Sequence, residues 1–172
     1  MMLLKTNRLS LHKLTAADAD IMLRLLNEPS FITNIADRGV RTLAQAQQYL
    51  LDGPIASYQQ HGFGMYRVER QSDGVTLGLC GLVYRPYLAK PDIGYAFFPE
   101  FFGQAYAFEA AQAAFDYGKK VLQLSEIVGI VSPTNVPSKR ILEKLGLETL
   151  RQVQSPDTGQ WLDYYTETTG SF

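Results

Sequence analysis

The sequence predicts an α/β (α+β) fold, a mostly antiparallel sheet covered by helices. Three observations predict it. Seven segments carry strand signals, either apolar–polar alternation or β-branched runs bounded by turn residues. Four others carry helical periodicity and caps. Their order is one strand, two helices, three strands, then helix, strand, helix and two strands, which is not the strict alternation of a doubly wound parallel sheet.

Residues 8–14, RLSLHKL, alternate and form the first strand. Thr15, with Asp18 three residues on, caps a helix that runs to about Asn27 and turns Ile21, Met22, Leu25 and Leu26 inward. Periodicity then fails around Pro29 and Gly39, so residues 28–41 read as a long loop or broken helix. Thr42 caps the second helix, which Gly53-Pro54 interrupts and which resumes to about Gln60. Strands near 64–70 and 75–85 are joined by Ser72-Asp73-Gly74, a hairpin turn. Gly78 and Gly81 weaken the second of these or mark a bulge. A connection from Pro86 to Pro91 leads to a strand at 92–98, and a helix opens near Gly103 and runs to about Lys120. In it Glu109, Gln112, Asp116 and Lys119 form a polar stripe, and the alanines elsewhere let it lie close to a sheet. A short β-branched strand at 126–131 ends at Pro133. The last helix spans 136–145 and stops at Gly146, and two strands, 148–154 and 161–168, flank the turn 156–159.

With 172 residues, 46% hydrophobic and 19% charged, the chain fits one globular domain over 1–172, with a core of about 6–168. A net charge of −1 without a basic block argues against nucleic-acid and anionic-membrane partners. No apolar run approaches a membrane span or a signal peptide. A single cysteine, Cys80, and two unclustered histidines, His12 and His61, give no disulfide and no metal site. A cytoplasmic protein is expected. Cys80 reads as packing in a strand, and both histidines as surface residues.

The chemistry concentrates at DIGYAFFPEFFGQAYAFE, residues 92–109. A strand, a glycine-bearing turn and a helix N-terminus follow one another there. The first turn of a helix has unpaired N–H groups and a partial positive charge, so this succession suits an anion. In the last helix Ser138, Ile141, Leu142 and Leu145 share one face, which points Ser138 inward. Its hydroxyl and the Asn135 side chain suit either capping or ligand contact.

DIGYAFFPEFFGQAYAFEA and, about thirty residues later, IVSPTNVPSKRILEKLGLE resemble the two core motifs of the GNAT acetyltransferases. The closest pattern is that of their RimJ/RimL-like branch, E-I-G-Y, then W-G-x-G-Y-A-x-E-A, then N-x-x-S-x-x-x-L-E-K-x-G-F. The opening TNRLSLHKLTAAD resembles the branch's first strand and helix. The resemblance implies a mixed, twisted sheet of about seven strands with about four helices. Two of its strands would splay at a bulge to form a cleft for acetyl-CoA. Backbone amides of Phe102, Gly103, Gln104, Ala105, Tyr106 and Ala107 would hold the diphosphate. The pantetheine arm would pair with strand 93–98, and amides near Phe97 and Phe98 would polarise the thioester carbonyl. Asn135 would contact the cofactor, and Ser138 would protonate the departing thiolate.

Three departures stand out. Ala105 replaces the second loop glycine, Phe102 replaces a tryptophan, and Glu100 puts an acid where the family often has Gln or Arg. For the general base the resemblance favours Asp92, with Glu100 second, either acting directly or through water. Tyr95 alternates to the face opposite Asp92 and reads as core. The expected reaction is direct acetyl transfer to a primary amine, a protein α-amine or a small molecule, in a ternary complex. The alternative is a coenzyme A-binding module without turnover. Acceptor recognition is expected in 28–41, 84–90 and 154–160, where Asp37, Asp157, Tyr84 and Tyr87 lie, with Asp92 as a further amine anchor. No metal is expected, and a homodimer is compatible with the resemblance.

Overall fold

A computed structural model of the chain describes residues 1–168; residues 169–172 of the expected 1–172 domain lie outside it. The elements are β1 (Met2–Lys5), β2 (Leu9–Lys13), α1 (Ala19–Leu26), α2 (Pro29–Asn34), α3 (Leu43–Leu50), α4 (Ala56–His61), β3 (Met65–Arg70) and β4 (Thr76–Arg85). They continue with β5 (Lys90–Phe97), α5 (Tyr106–Lys120), β6 (Gly129–Val131), α6 (Val136–Lys144), β7 (Leu147–Gln154) and β8 (Trp161–Glu167).

The strands form two antiparallel sheets, β1-β2-β3-β4-β5 and β6-β8-β7. One parallel bridge, Asp92 with Val128, joins them. The expected mixed sheet is thus a sheet opened like a V, hinged where β5 meets β6. Strand β1 is one more than the sequence predicted. MLLK lacks alternation, and only its pairing with β2 makes it a strand.

The capping signals are realised. Thr15 and Asp18 close a capping box on a 3-10 turn, Ala16–Asp18, that leads into α1. Thr42 and Gln45 close another at α3. Gly53-Pro54 does not break the helix. A π turn, Leu51–Ile55, carries α3 into α4, which ends at Gly62 with φ 78°. The 28–41 segment is in part a short helix, α2.

Each face of the five-stranded sheet has its own core. On one side Leu77, Cys80, Leu82, Ile93 and Phe97 pack against Ala110, Ala111, Ala114 and Phe115 of α5. On the other, Leu79 and Phe98 meet Met22, Leu25 and Leu26 of α1 and Ala46 and Leu50 of α3. Each fully buried leucine contributes about 1.5–3 kcal/mol. Gly81 lets β3 and β4 meet closely, since a Cβ there would lie 2.2 Å from the Gly64 carbonyl oxygen. Strand β5 therefore presents Ile93, Tyr95 and Phe97 to the α5 side, and Asp92, Gly94, Ala96 and Phe98 to the α1–α3 side.

Candidate active site

Strand β5 is paired along its whole length on one edge only. Its register with β4 runs unshifted from Lys90–Arg85 to Phe97–Gly78. On the other edge Ile93 N–H donates to the Val128 carbonyl at 2.8 Å, and Val128 N–H to the Pro91 carbonyl at 2.9 Å. Beyond that point β6 pairs with β8 instead. Alternate N–H groups of a strand point to opposite edges, so those of Tyr95 and Phe97 face the gap, as Ile93 does. This refines two expectations. The Phe98 N–H is taken by the Leu77 carbonyl at 3.0 Å, so of the two amides expected at the thioester only that of Phe97 is open. The strands also part without the expected bulge in β5, because β6 is drawn away by β8.

The gap opens beside the start of α5. A 3-10 turn, Pro99–Phe101, brings the chain out of β5, and Phe102 is largely exposed. Gly103 takes φ 80° and Ala105, the N-cap of α5, takes φ 64° and offers no side-chain cap. The amides of residues 103 to 108 find no acceptor among the described residues. Gly103, Gln104, Ala105, Tyr106 and Ala107 therefore form a loop of free donors at the positive end of a helix, whereas the amide expected of Phe102 is closed by the Pro99 carbonyl at 3.1 Å, the bond that completes the 3-10 turn.

Residues outside the two motifs support this loop. Glu109 accepts from Thr6 Oγ1 (2.5 Å), from Arg8 N–H (2.9 Å) and from Arg8 Nε (2.7 Å). Arg8 stacks on the Tyr106 ring at 4.3 Å, and Arg70 lies 5.5 Å from the Phe101 ring. The polar stripe on α5 is thus a clasp as well as a solvated face, and two arginines, each paired with a carboxylate, lie beside the loop. Sequence spacing could not show this, because the partners of Glu109 lie about a hundred residues away.

Helix α6 faces the gap from the β6 arm. Asn135 caps it, its Oδ1 accepting from Ser138 N–H at 3.3 Å. The Ser138 hydroxyl lies 2.8 Å from that of Tyr95, which is also 3.0 Å from the Ser138 carbonyl oxygen. Tyr95 packs its ring against the core as predicted, but its hydroxyl reaches across to α6, a contact that sequence analysis missed. Alternation with Ile93 and Phe97 placed it on the correct face; only the tertiary structure brings α6 there. Burial pushes the Tyr95 hydroxyl up, against the lowering effect of the bond to Ser138.

The two candidate bases lie apart. Asp92 is 2% exposed, and Arg85 Nε donates to its Oδ2 at 2.6 Å. Burial raises its carboxyl to about 6, while the charge and hydrogen bond of Arg85, and more weakly the Ile130 backbone, oppose the rise. Its Oδ1 has no hydrogen-bond partner among the described residues. At ~3.4 Å per residue Asp92 stands ~10 Å along the strand from the Tyr95 amide and ~17 Å from that of Phe97, too far for direct contact. Glu100 is exposed on the 3-10 turn just before the loop of residues 102–105.

Of the other expected anchors, Asp37 is paired with Arg41 at the surface through two hydrogen bonds of 2.8 and 2.9 Å. Tyr84 stacks on His61, while Asp157 and Tyr87 lie within electrostatic reach of Arg85. His12 is half-buried, bonded to Ser10, and not at the surface. Cys80 is fully buried, and its thiol is held far above the ordinary range by that burial. No three His, Cys, Asp or Glu side chains converge as metal ligands among the described residues, and none of their helices is long and apolar enough to cross a membrane.

Comparison with known proteins bears on the family and the fold. The model of the acetyltransferase (GNAT) domain matches residues 8–148. An N-acetyltransferase named p20 from Bacillus licheniformis is 27% identical over 165 residues, covering 94% of this chain and 92% of its own. An acetyltransferase from Agrobacterium tumefaciens superimposes with a TM-score of 0.81 at 24% identity, covering 98% of this chain and 95% of that one. RimL, an alpha-N-protein acetyltransferase solved with coenzyme A, superimposes with a TM-score of 0.82 at 15% identity, covering 97% of each chain. The fold is thus the one that the resemblance to the RimJ/RimL-like branch implied. The chain belongs to the GNAT acetyltransferase family.

Proposed function

We propose that this protein is a single-domain, acetyl-CoA-dependent N-acetyltransferase that acylates a primary amine by direct attack in a ternary complex. One observation carries the reading: β5 and β6 part so that the Tyr95 and Phe97 amides are open, beside a helix start whose amides 103 to 108 are open too. Such an edge suits an extended amide-bearing arm, and such a helix start suits a diphosphate. The relative RimL was solved with coenzyme A, which supports the same choice of carrier.

In this reading the amides of Gly103 to Ala107 hold the diphosphate, with Arg8 and Arg70 nearby, each paired to a carboxylate, Glu109 and Asp73. The Phe97 amide donates to the thioester oxygen as negative charge develops on it. The amine nitrogen bonds to the carbonyl carbon, the C–S bond breaks and the sulfur leaves as thiolate. Ser138, on the opposite arm, donates to that sulfur, and Asn135 holds the first turn of α6 in place. The proton shed by the amine passes to water. Asp92 then acts at most through a chain of waters, and Glu100 serves neither as base nor as phosphate ligand. The acceptor class, α-amine or small amine, is to be read from experiment.

The test is release of free thiol from acetyl-CoA with a panel of N-terminal peptides, amino acids, polyamines and aminoglycosides, alongside calorimetric titration with CoA. CoA release with one class and its loss on Ser138→Ala are expected. CoA binding without release from any amine would leave the non-catalytic module. No CoA binding at all would overturn the cleft itself.

A further inference from the structure

We propose that Tyr95 is a positioning residue, whose hydroxyl reaches across the gap between β5 and α6 and aims the Ser138 hydroxyl at the departing sulfur. The inference rests on the role given to Ser138 above and gives one to Tyr95, which the motif contains but to which the sequence reading assigned only packing in the core.

The geometry restricts what this pair of hydroxyls does. The Tyr95 oxygen lies 2.8 Å from Ser138 Oγ and 3.0 Å from the Ser138 carbonyl oxygen. A carbonyl oxygen only accepts, so the single tyrosine hydrogen goes either to it or to the serine oxygen. When it goes to the carbonyl, the serine hydrogen turns back to Tyr95 and closes the pair on itself. When it goes to Oγ, the serine hydrogen is free to point into the gap. The second arrangement makes Ser138 a better donor, because an oxygen that accepts a hydrogen bond gives a more polarised O–H. Tyr95 keeps its own proton throughout, since burial opposes formation of a tyrosinate. It therefore orients the serine and is not itself a proton source for the sulfur.

The same contact ties the two arms of the V together. Tyr95 belongs to the five-stranded sheet, and Ser138 to the helix packed on the three-stranded one. A merely structural tie and a positioning role are separable by experiment, because only the second changes how well the site stabilises a thiolate.

The probe is coenzyme A bound to the full chain. Ionisation of its thiol is followed by ultraviolet absorbance, with the desulfo-CoA complex subtracted to remove the tyrosines. Four proteins are compared: wild type, Ser138→Ala, Tyr95→Phe and the double variant. Phenylalanine keeps the ring that packs in the core and removes one oxygen atom. If Ser138 donates to the thiolate, Ser138→Ala raises the pKa of the bound thiol. Tyr95→Phe is expected to raise it by about 0.4–1 unit, the equivalent of one neutral hydrogen bond. In the Ser138→Ala background it should raise it no further. A Tyr95→Phe protein whose bound thiol titrates like wild type, while Ser138→Ala shifts it, would overturn the Tyr95 inference alone. Fully additive shifts would do the same, since Tyr95 would then not act through the serine. An unshifted thiol in Ser138→Ala, or no binding of CoA, would refute the role of Ser138 and take that of Tyr95 with it.

Discussion

The loop before α5 allows a paired prediction at two neighbouring residues. Gly103 and Ala105 both adopt left-handed backbone, with φ 80° and 64°. An L-residue with a side chain spends roughly 1–2 kcal/mol there. Glycine avoids that cost but loses about 0.5–1 kcal/mol through the greater freedom of its unfolded state. Ala105→Gly should therefore stabilise the protein by about 0.5–1 kcal/mol. At ~2–4 °C per kcal/mol for a domain of this size, Tm should rise by about 1–4 °C. Gly103→Ala should lower stability by a similar amount. A Cβ at Gly103 meets nothing within 4 Å, so backbone strain is the only cause available. Thermal melts followed by circular dichroism measure both, and calorimetry with CoA shows whether the more relaxed loop binds the cofactor at least as tightly. An Ala105→Gly protein that melts below wild type, or a Gly103→Ala protein that melts with it, would show that the loop does not hold this backbone.

Glu109→Ala removes three hydrogen bonds and leaves the Arg8 N–H unpaired, so a loss of about 2 kcal/mol and a Tm lowered by ~4–8 °C are expected, together with weaker CoA binding as the first turn of α5 loosens. Burial acts to raise the Glu109 carboxyl, but the bonds from Thr6 and Arg8 outweigh it and hold it below 4.5. The clasp is thus fully present above that pH and lost as pH falls through the lowered value, which acid unfolding of Glu109→Gln beside wild type would reveal as a smaller acid sensitivity. Asp92 has the opposite sign. Its carboxyl is raised to about 6 from 3.8, so in that window the native state holds more protons than the unfolded chain, and stability falls as pH rises by an amount on the order of 2–3 kcal/mol. Denaturant unfolding at pH values below and above the window should show this slope in wild type and a flatter one in Asp92→Asn; equal slopes would mean that Asp92 is not buried as described.

The local statements of the sequence survive folding because they rest on local physics. The capping pairs Thr15–Asp18 and Thr42–Gln45, the Ser72-Asp73-Gly74 turn and the glycine stop at Gly146 involve residues within a few positions of one another. The N-terminal donors of α5 were legible for the same reason, since any helix leaves its first amides unpaired. Errors arose where a neighbour distant in sequence decides. MLLK becomes a strand only by pairing with β2, and the Phe98 amide is closed by Leu77. That Arg85 and the β6 junction bury Asp92, the first-choice base, is likewise invisible in its own stretch of sequence.

By itself the sequence determined the class of fold, the place of a helix start with unpaired amides and the face of β5 on which each side chain lies, because strand period and helix polarity follow from covalent geometry. The tertiary structure decided which amides remain open, which carboxylate is buried and that a tyrosine on one arm meets a serine on the other. Those depend on where β6 leaves β5 for β8, a choice made by packing between segments far apart in the chain.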